Sequence, residues 1–109
     1  MTSAFDGQPT GGWTFLTNHG HVLLTIARDP EIRLREIAAQ VGITERAAQA
    51  IVADLVEGGY LSRTRVGRRN NYEVHGELPL RHPVEREHEV GALVDLLMQT
   101  RARRRPARS

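Results

Sequence analysis

The sequence predicts a mainly α-helical protein with one small β-hairpin. Apolar residues recur at helical spacing in four segments, and two short segments rich in strand-forming residues flank a stretch of Gly, Arg and Asn. The length of 109 residues fits one domain with a single apolar core. We therefore expect four helices and two strands, which is an α+β arrangement.

The first predicted helix covers residues 18–28, where apolar side chains recur at helical spacing. Thr17 or Asn18 is a suitable N-cap, and the pair at 29–30, Asp followed by Pro, is expected to end the helix. Residues 32–34 are too few to form more than a connecting strand or an extended stub.

A tight turn separates the second and third predicted helices. The second helix, over residues 35–40, is expected to end at Gly42, because glycine adopts the left-handed backbone that a sharp turn requires. Thr44 is then a suitable N-cap for a third helix that runs to about Glu57. One face of the third helix is apolar, so the opposite face is expected to be free. The apolar stripe consists of Ala48, Ile51, Val52 and Leu55.

A hairpin and a final helix are predicted in the second half of the chain. Residues 60–66 and 72–75 are the expected strands, joined by residues 67–71. The final helix is predicted over residues 84–100, with Pro83 in its first turn. A small domain offers little surface to cover this helix, so its apolar stripe is expected to lie partly between two copies of the chain. That stripe consists of Val90, Leu93, Val94 and Leu97.

The positive charges are clustered. All 15 basic residues are Arg, and nine of them lie in two segments without acids, residues 63–69 and 101–109. The rest of the chain holds six Arg against thirteen acids, although the net charge of the whole is only +2. A GC-rich genome explains the use of Arg instead of Lys as well as a functional reason does. It does not explain why the arginines are clustered. This asymmetry indicates a polyanionic partner.

Several classes of protein are excluded or disfavoured by what the sequence lacks. Cysteine is absent, so disulfide scaffolds and thiolate zinc sites are excluded. Neither a leader at the start nor an apolar run of about 20 residues is present, so a cytoplasmic protein without a membrane segment is expected. No Gly-rich phosphate loop or nucleophile motif occurs, so we expect neither an enzyme nor a cofactor. No metal site is expected either, because a solvated helix end explains the remaining candidate ligands better than a metal does; these are His82, Glu85, His88 and Glu89.

The predicted order of helix, stub, helix, tight turn, helix and hairpin is the order that a winged helix-turn-helix requires. Residues 34–61 read LREIAAQVGITERAAQAIVADLVEGGYL. This segment resembles the helix-turn-helix of bacterial transcriptional regulators of the MarR and ArsR types, and the resemblance extends over about residues 18–76. It implies a dimer that binds double-stranded DNA, with base contacts from the third helix and phosphate or minor-groove contacts from the hairpin.

The resemblance also implies which residues contact DNA. Arg46 and Gln49 are our first candidates as base readers, because Arg can bind guanine and Gln can bind adenine through two hydrogen bonds each. For Arg46 the competing interpretation is a solvated side chain paired with a nearby acid. The full set of candidate base readers is Thr44, Glu45, Arg46, Ala47, Gln49 and Ala50.

The hairpin and the C-terminal segment supply the candidate backbone contacts. Arginines in the acid-free segment 63–69 of the hairpin suit phosphates or a narrow minor groove, although a solvated hairpin is the competing interpretation. The hairpin candidates are Arg63, Arg65, Arg68, Arg69, Asn70 and Asn71. In the C-terminal segment Arg103, Arg104 and Arg105 are candidates, and simple disorder explains that segment equally well.

The predicted organisation has four parts. A disordered tail over residues 1–12 leads to an aromatic anchor at Trp13 and Phe15, and a winged helix-turn-helix domain spans residues 13–76. A linker and a dimerisation helix follow over 77–100, and a disordered Arg-rich tail covers 101–109.

The function predicted from the sequence is therefore a homodimeric regulator of transcription that binds an inverted-repeat DNA site. Repression is the simplest output for a chain without a sensor or activation domain, and activation stays open as the alternative. The alternative to DNA binding is a winged-helix module that binds RNA or a partner protein. MarR-type proteins use longer flanking helices to build an effector pocket, and ArsR-type members often sense metals through Cys and His. This chain departs from both patterns, so the resemblance leaves any small-molecule effector undefined.

Overall fold

A computed structural model describes residues 12–98, which form four helices and one two-stranded antiparallel sheet. The described residues divide into two compact units, residues 12–74 and 75–98. The predicted fold class, mainly α with a small hairpin, is confirmed. The described elements are α1 (Asn18–Arg28), α2 (Leu34–Val41), α3 (Glu45–Glu57), β1 (Leu61–Val66), β2 (Arg69–Val74) and α4 (Val90–Met98).

Helix α1 has the predicted bounds. The Thr17 side chain caps its N-terminus by accepting a hydrogen bond from the Gly20 amide at 3.4 Å, and the helix ends before Asp29. Thr25, a polar residue on the buried face, donates from its hydroxyl to the carbonyl of His21 at 2.7 Å, so this group is satisfied inside the helix.

Helix α2 begins one residue earlier than predicted, because Leu34 belongs to the helix rather than to the extended stub. The Glu36 carboxylate accepts from the Arg33 amide at 3.2 Å and satisfies a free donor at this helix end. The helix ends as expected at Gly42, whose φ of 88° and ψ of 35° are left-handed. The amides of Gly42 and Ile43 both donate to the carbonyl of Ala38, which completes the tight turn.

Helix α3 confirms the prediction for its cap and its buried stripe. The hydroxyl of Thr44 accepts from the Ala47 amide at 3.0 Å. At the other end the Tyr60 amide donates to the carbonyl of Leu55, so the chain turns sharply into the first strand. The buried residues of this helix are Ala48, Ile51, Val52 and Leu55.

The hairpin is tighter than the sequence suggested. Residue Val66 pairs with Arg69, so the loop contains only Gly67 and Arg68 instead of residues 67–71. Gly67 has a φ of 62°, and no described residue other than glycine has a positive φ, which is the pattern of a type II′ turn. As a consequence, residues 69–71 lie on β2 and extend the strand toward the tip.

The core of the first unit is built by all three helices and the base of the hairpin. The largest fully buried side chains are Val22 and Ile26 of α1, Ile37 of α2 and Val52 of α3. Leu61 and Tyr72 are buried at the base of the hairpin. Burial of each large apolar side chain contributes about 1.5–3 kcal/mol to the free energy of unfolding.

The second unit differs from its prediction. Helix α4 begins at Val90 rather than at residue 84, and Pro83 does not lie in its first turn; the predicted end at residue 100 falls outside the described residues. The chain before the helix instead folds back on itself through a bridge between Pro79 and Glu89. The Gly91 amide donates to the carbonyl of Gly76 at 2.8 Å, and a Cβ at Gly91 would lie 2.8 Å from that same oxygen.

The prediction of an aromatic anchor at the N-terminal end of the domain is wrong, because neither aromatic side chain is buried. Trp13 is 66% exposed and Phe15 is 93% exposed, and their rings pack edge to face with centroids 5.1 Å apart. The predicted disordered tails fall outside the described residues, apart from Gly12. Within residues 12–98, no helix has the length and apolar character that crossing a membrane requires.

Candidate nucleic-acid interface

The side of α3 opposite the core is exposed to solvent. A helix turns by about 100° per residue, which places Arg46, Ala50 and Ala53 opposite the buried stripe and Gln49 at one flank. Five of the six candidate base readers are exposed, and Ala47 is half-buried. We call the exposed residues Glu45, Arg46, Gln49, Ala50 and Ala53 the outer face of α3.

The side chains of Arg46 and Gln49 on this outer face are unpaired in the described part of the chain. Within residues 12–98, neither side chain has a hydrogen-bond or ion-pair partner, so the pairing of Arg46 with a nearby acid is not observed. A guanidinium and a carboxamide can each form two parallel hydrogen bonds to a planar partner. Both are therefore available to an external ligand.

A side-chain hydrogen bond that the sequence did not reveal joins α1 to the flank of α3. The Nε2 atom of His19 lies 2.8 Å from Oδ2 of Asp54, and the two side chains are 48% and 61% exposed. The 35 residues between them leave no local spacing signal for this contact. Because of this hydrogen bond, one of the acids of α3 is partnered rather than free.

Helix α3 is not itself strongly positive. Between residues 45 and 57 it carries one Arg and three acids, which are Glu45, Asp54 and Glu57. A helix with this charge does not attract polyanions by itself. Any affinity for phosphate must therefore come from neighbouring elements.

The hairpin, which we call the wing, is the positive element of the first unit. It carries four Arg and a single acid, Glu73, and all four Arg are exposed. Alternation along the strands places Arg63 and Arg65 on the same face as Leu61, whereas Arg69 lies on the opposite face. The wing thus presents positive charge on both faces and, through Arg68, at its tip.

Two of the wing arginines have partners within the chain. The Nε of Arg65 donates to the carbonyl of Gly67 at 3.3 Å, which orients its guanidinium along the loop. Arg69 lies 3.7 Å from Glu31, measured from Nη1 to Oε1. Of the two asparagines, Asn70 is half-buried and Asn71 is exposed, both on β2.

The predicted dimer seam is divided between buried and exposed residues. Val90 and Val94 are already buried in the single chain, and Leu93 is half-buried. Leu97 is 37% exposed, and Leu96, which the sequence pattern did not single out, is 61% exposed.

The remaining candidates do not form a site. No group of three or more His, Asp or Glu side chains in residues 12–98 is arranged to hold a metal ion. His82 instead accepts at Nδ1 from the amide of Val84 at 3.0 Å, which orders the turn that follows. Arg103, Arg104 and Arg105 lie outside the described residues.

Comparison with known proteins agrees with the geometry of the first unit. The family model described as MarR family matches residues 14–69, which is just over half of the chain. The chain belongs to the MarR family. Members of this family are winged helix-turn-helix transcriptional regulators rather than enzymes, and they bind DNA. The predicted resemblance to the MarR type is confirmed, whereas the ArsR-like character stays a prediction.

One similar solved structure is that of the PcaV transcriptional regulator from Streptomyces coelicolor, in complex with its natural ligand. The sequence identity is 21%, the TM-score is 0.49, and the match covers 59% of this chain and 48% of that regulator. This MarR-family chain therefore matches about half the length of PcaV. No curated protein matches it.

Proposed function

We propose that this MarR-family chain binds double-stranded DNA in a sequence-specific manner and represses transcription as a homodimer. The observation that carries the proposal is the outer face of α3, where Arg46 and Gln49 are exposed and have no partner in the described part of the chain. The helix follows the tight turn at Gly42 and precedes the positive wing, which is the order used to place a helix in the major groove.

Base reading follows from the chemistry of the outer face. A helix with its side chains is about 10–12 Å wide, and the major groove is about 12 Å wide. Arg46 can bind guanine, Gln49 can bind adenine, and Glu45 can accept from cytosine. The small side chain of Ala50 permits close approach and suits contact with a thymine methyl group.

Affinity for the DNA backbone comes from the wing. Helix α3 holds more acids than bases, so the four wing arginines supply the attraction to phosphate. Each phosphate that is neutralised adds about −0.9 to the slope of log affinity against log salt concentration. Arg103, Arg104 and Arg105 extend this contribution from the C-terminal segment.

Dimerisation uses the apolar residues of α4 that the single chain leaves accessible. Leu93, Leu96 and Leu97 are half-buried or exposed, and covering them with a second copy removes apolar surface from water. A twofold dimer presents two copies of α3 to successive major grooves, about 34–36 Å apart. Its site is then an inverted repeat, and occupation of that site blocks polymerase.

Selection from a library of random DNA duplexes, followed by sequencing of the bound fraction, tests this proposal. The expected result is an inverted repeat whose half-sites lie about one helical turn apart. Enrichment of a single unrepeated element would contradict the homodimer. Tighter binding of a structured RNA than of duplexes at equal salt would contradict the DNA-binding role and favour the RNA-binding alternative.

A further inference from the structure

The turn between α1 and α2 lies against the outer edge of the wing. In a hairpin with a two-residue loop, the pair beside the loop is hydrogen-bonded and the pairs alternate from there, so the Tyr72 amide points away from β1. That amide donates to the carbonyl of Pro30 at 2.9 Å. The wing is therefore attached to the turn through backbone atoms of β2.

Two hydrogen bonds stabilise the turn between α1 and α2. The Ile32 amide donates to the Asp29 carbonyl at 3.0 Å, and the Glu31 amide donates to Oδ1 of Asp29 at 3.2 Å. Ile32 is 3% exposed and Tyr72 is 5% exposed, so both partners of this junction are anchored in the core. The position of the wing is thus set by backbone bonds and buried side chains.

The ion pair between Glu31 and Arg69 lies on this junction but is not needed to build it. Its N to O separation is 3.7 Å, and the side chains of Arg69 and Glu31 are 47% and 63% exposed. An ion pair with this exposure contributes little to stability. Its consequence is electrostatic, because it places a carboxylate beside the wing arginine nearest the tip on β2.

We propose that Glu31 limits the affinity of the wing for DNA phosphates by pairing with Arg69; this inference rests on the DNA-binding function proposed above. A phosphate must displace the carboxylate to bind Arg69 fully, and the negative charge of Glu31 repels a phosphate that approaches. Phosphates are common to all DNA sequences, so Glu31 lowers the sequence-independent part of the affinity and leaves base reading unchanged.

The substitution Glu31→Gln keeps the size of the side chain and removes its charge. It should raise the affinity for a fluorescein-labelled 30-base-pair duplex of mixed sequence, because Arg69 then neutralises one more phosphate. The slope of log affinity against log salt should steepen by about 0.9, so the gain in affinity should be about 3.5-fold larger at 50 mM than at 200 mM salt. In an Arg69→Ala background the same substitution should not change the slope.

Glu73→Gln is the matched control. It removes the same charge from the same hairpin, and Glu73 is exposed with no ion-pair partner among residues 12–98. This variant should raise the affinity slightly through the general field and leave the salt slope unchanged. An equal thermal midpoint for all variants shows that the fold is unaltered.

The outcomes separate this inference from the function on which it rests. If the wild-type protein binds no duplex even at 50 mM salt, the proposed DNA-binding function fails, and the inference fails with it. If the wild type binds and Glu31→Gln has an unchanged or a shallower salt slope, only the inference is overturned. A steeper slope that persists without Arg69 would also overturn it, because the effect would then not pass through that arginine.

Discussion

Gly42 and Gly58 both lie at helix C-termini but have opposite backbone conformations, and this difference predicts opposite effects of alanine. Gly42 has φ 88° and ψ 35°, whereas Gly58 has φ −77° and ψ −5°. A side chain in the left-handed region costs about 1–2 kcal/mol. Replacing glycine also restricts the unfolded chain, which stabilises the folded state by about 0.4–1 kcal/mol when the conformation is compatible. Gly42→Ala should therefore destabilise by roughly 1 kcal/mol, and Gly58→Ala should stabilise by about 0.4–1 kcal/mol.

The difference between the two variants isolates the backbone strain. The unfolded-state term is common to both, so they should differ in free energy of unfolding by about 1–2 kcal/mol. For a domain of this size, each kcal/mol corresponds to a shift of about 4–8 °C in Tm. Urea titration followed by far-UV circular dichroism measures the difference, provided that the m-values agree. Equal stability of the two variants would refute the left-handed turn at Gly42.

Substitutions at four further positions test other parts of the molecule. Thr44→Ala should cost about 1 kcal/mol of stability because it removes the cap of α3, and Thr44→Ser should restore most of it; equal urea midpoints for the two variants would contradict the cap. Ile37→Ala in the fully buried core should cost about 2–5 kcal/mol against about 0.5–1.5 for Ile37→Val, and a smaller loss would show that Ile37 is not packed as described. In Gly91→Ala the new Cβ would lie 2.8 Å from the carbonyl oxygen of Gly76, so the backbone must shift there. The shift should weaken the neighbouring hydrogen bond from the Val90 amide to the Leu78 carbonyl and speed hydrogen exchange of that amide. Unchanged exchange would contradict the close approach. Arg68→Ala should weaken binding to a selected site and to random duplex by the same factor, and a loss confined to the selected site would mean that Arg68 reads bases.

The sequence predicted best those features that depend on neighbours along the chain. The caps at Thr17 and Thr44, the turn at Gly42 and the buried face of α3 each follow from residue types within one or two turns. For the same reason, all candidate base readers except the half-buried Ala47 are exposed. Helical periodicity determines both the buried stripe and the surface opposite it.

The errors arose where contacts distant in sequence decide the structure. Residues 69–71 are polar and show no apolar alternation, yet pairing with β1 makes them strand residues. Residues 84–89 contain only one apolar side chain, and Pro83 alone suggested a helix where the chain instead closes a loop. The contacts of His19 with Asp54 and of Glu31 with Arg69 have no local pattern.

Competition binding with the Arg46→Ala variant shows whether the outer face of α3 reads base edges. The ratio of affinities for a selected site and a random duplex should fall by a factor equivalent to about 1–3 kcal/mol, while affinity for the random duplex stays nearly unchanged. An equal loss of affinity for both duplexes would contradict base reading by the outer face, because Arg46 would then contact only the DNA backbone.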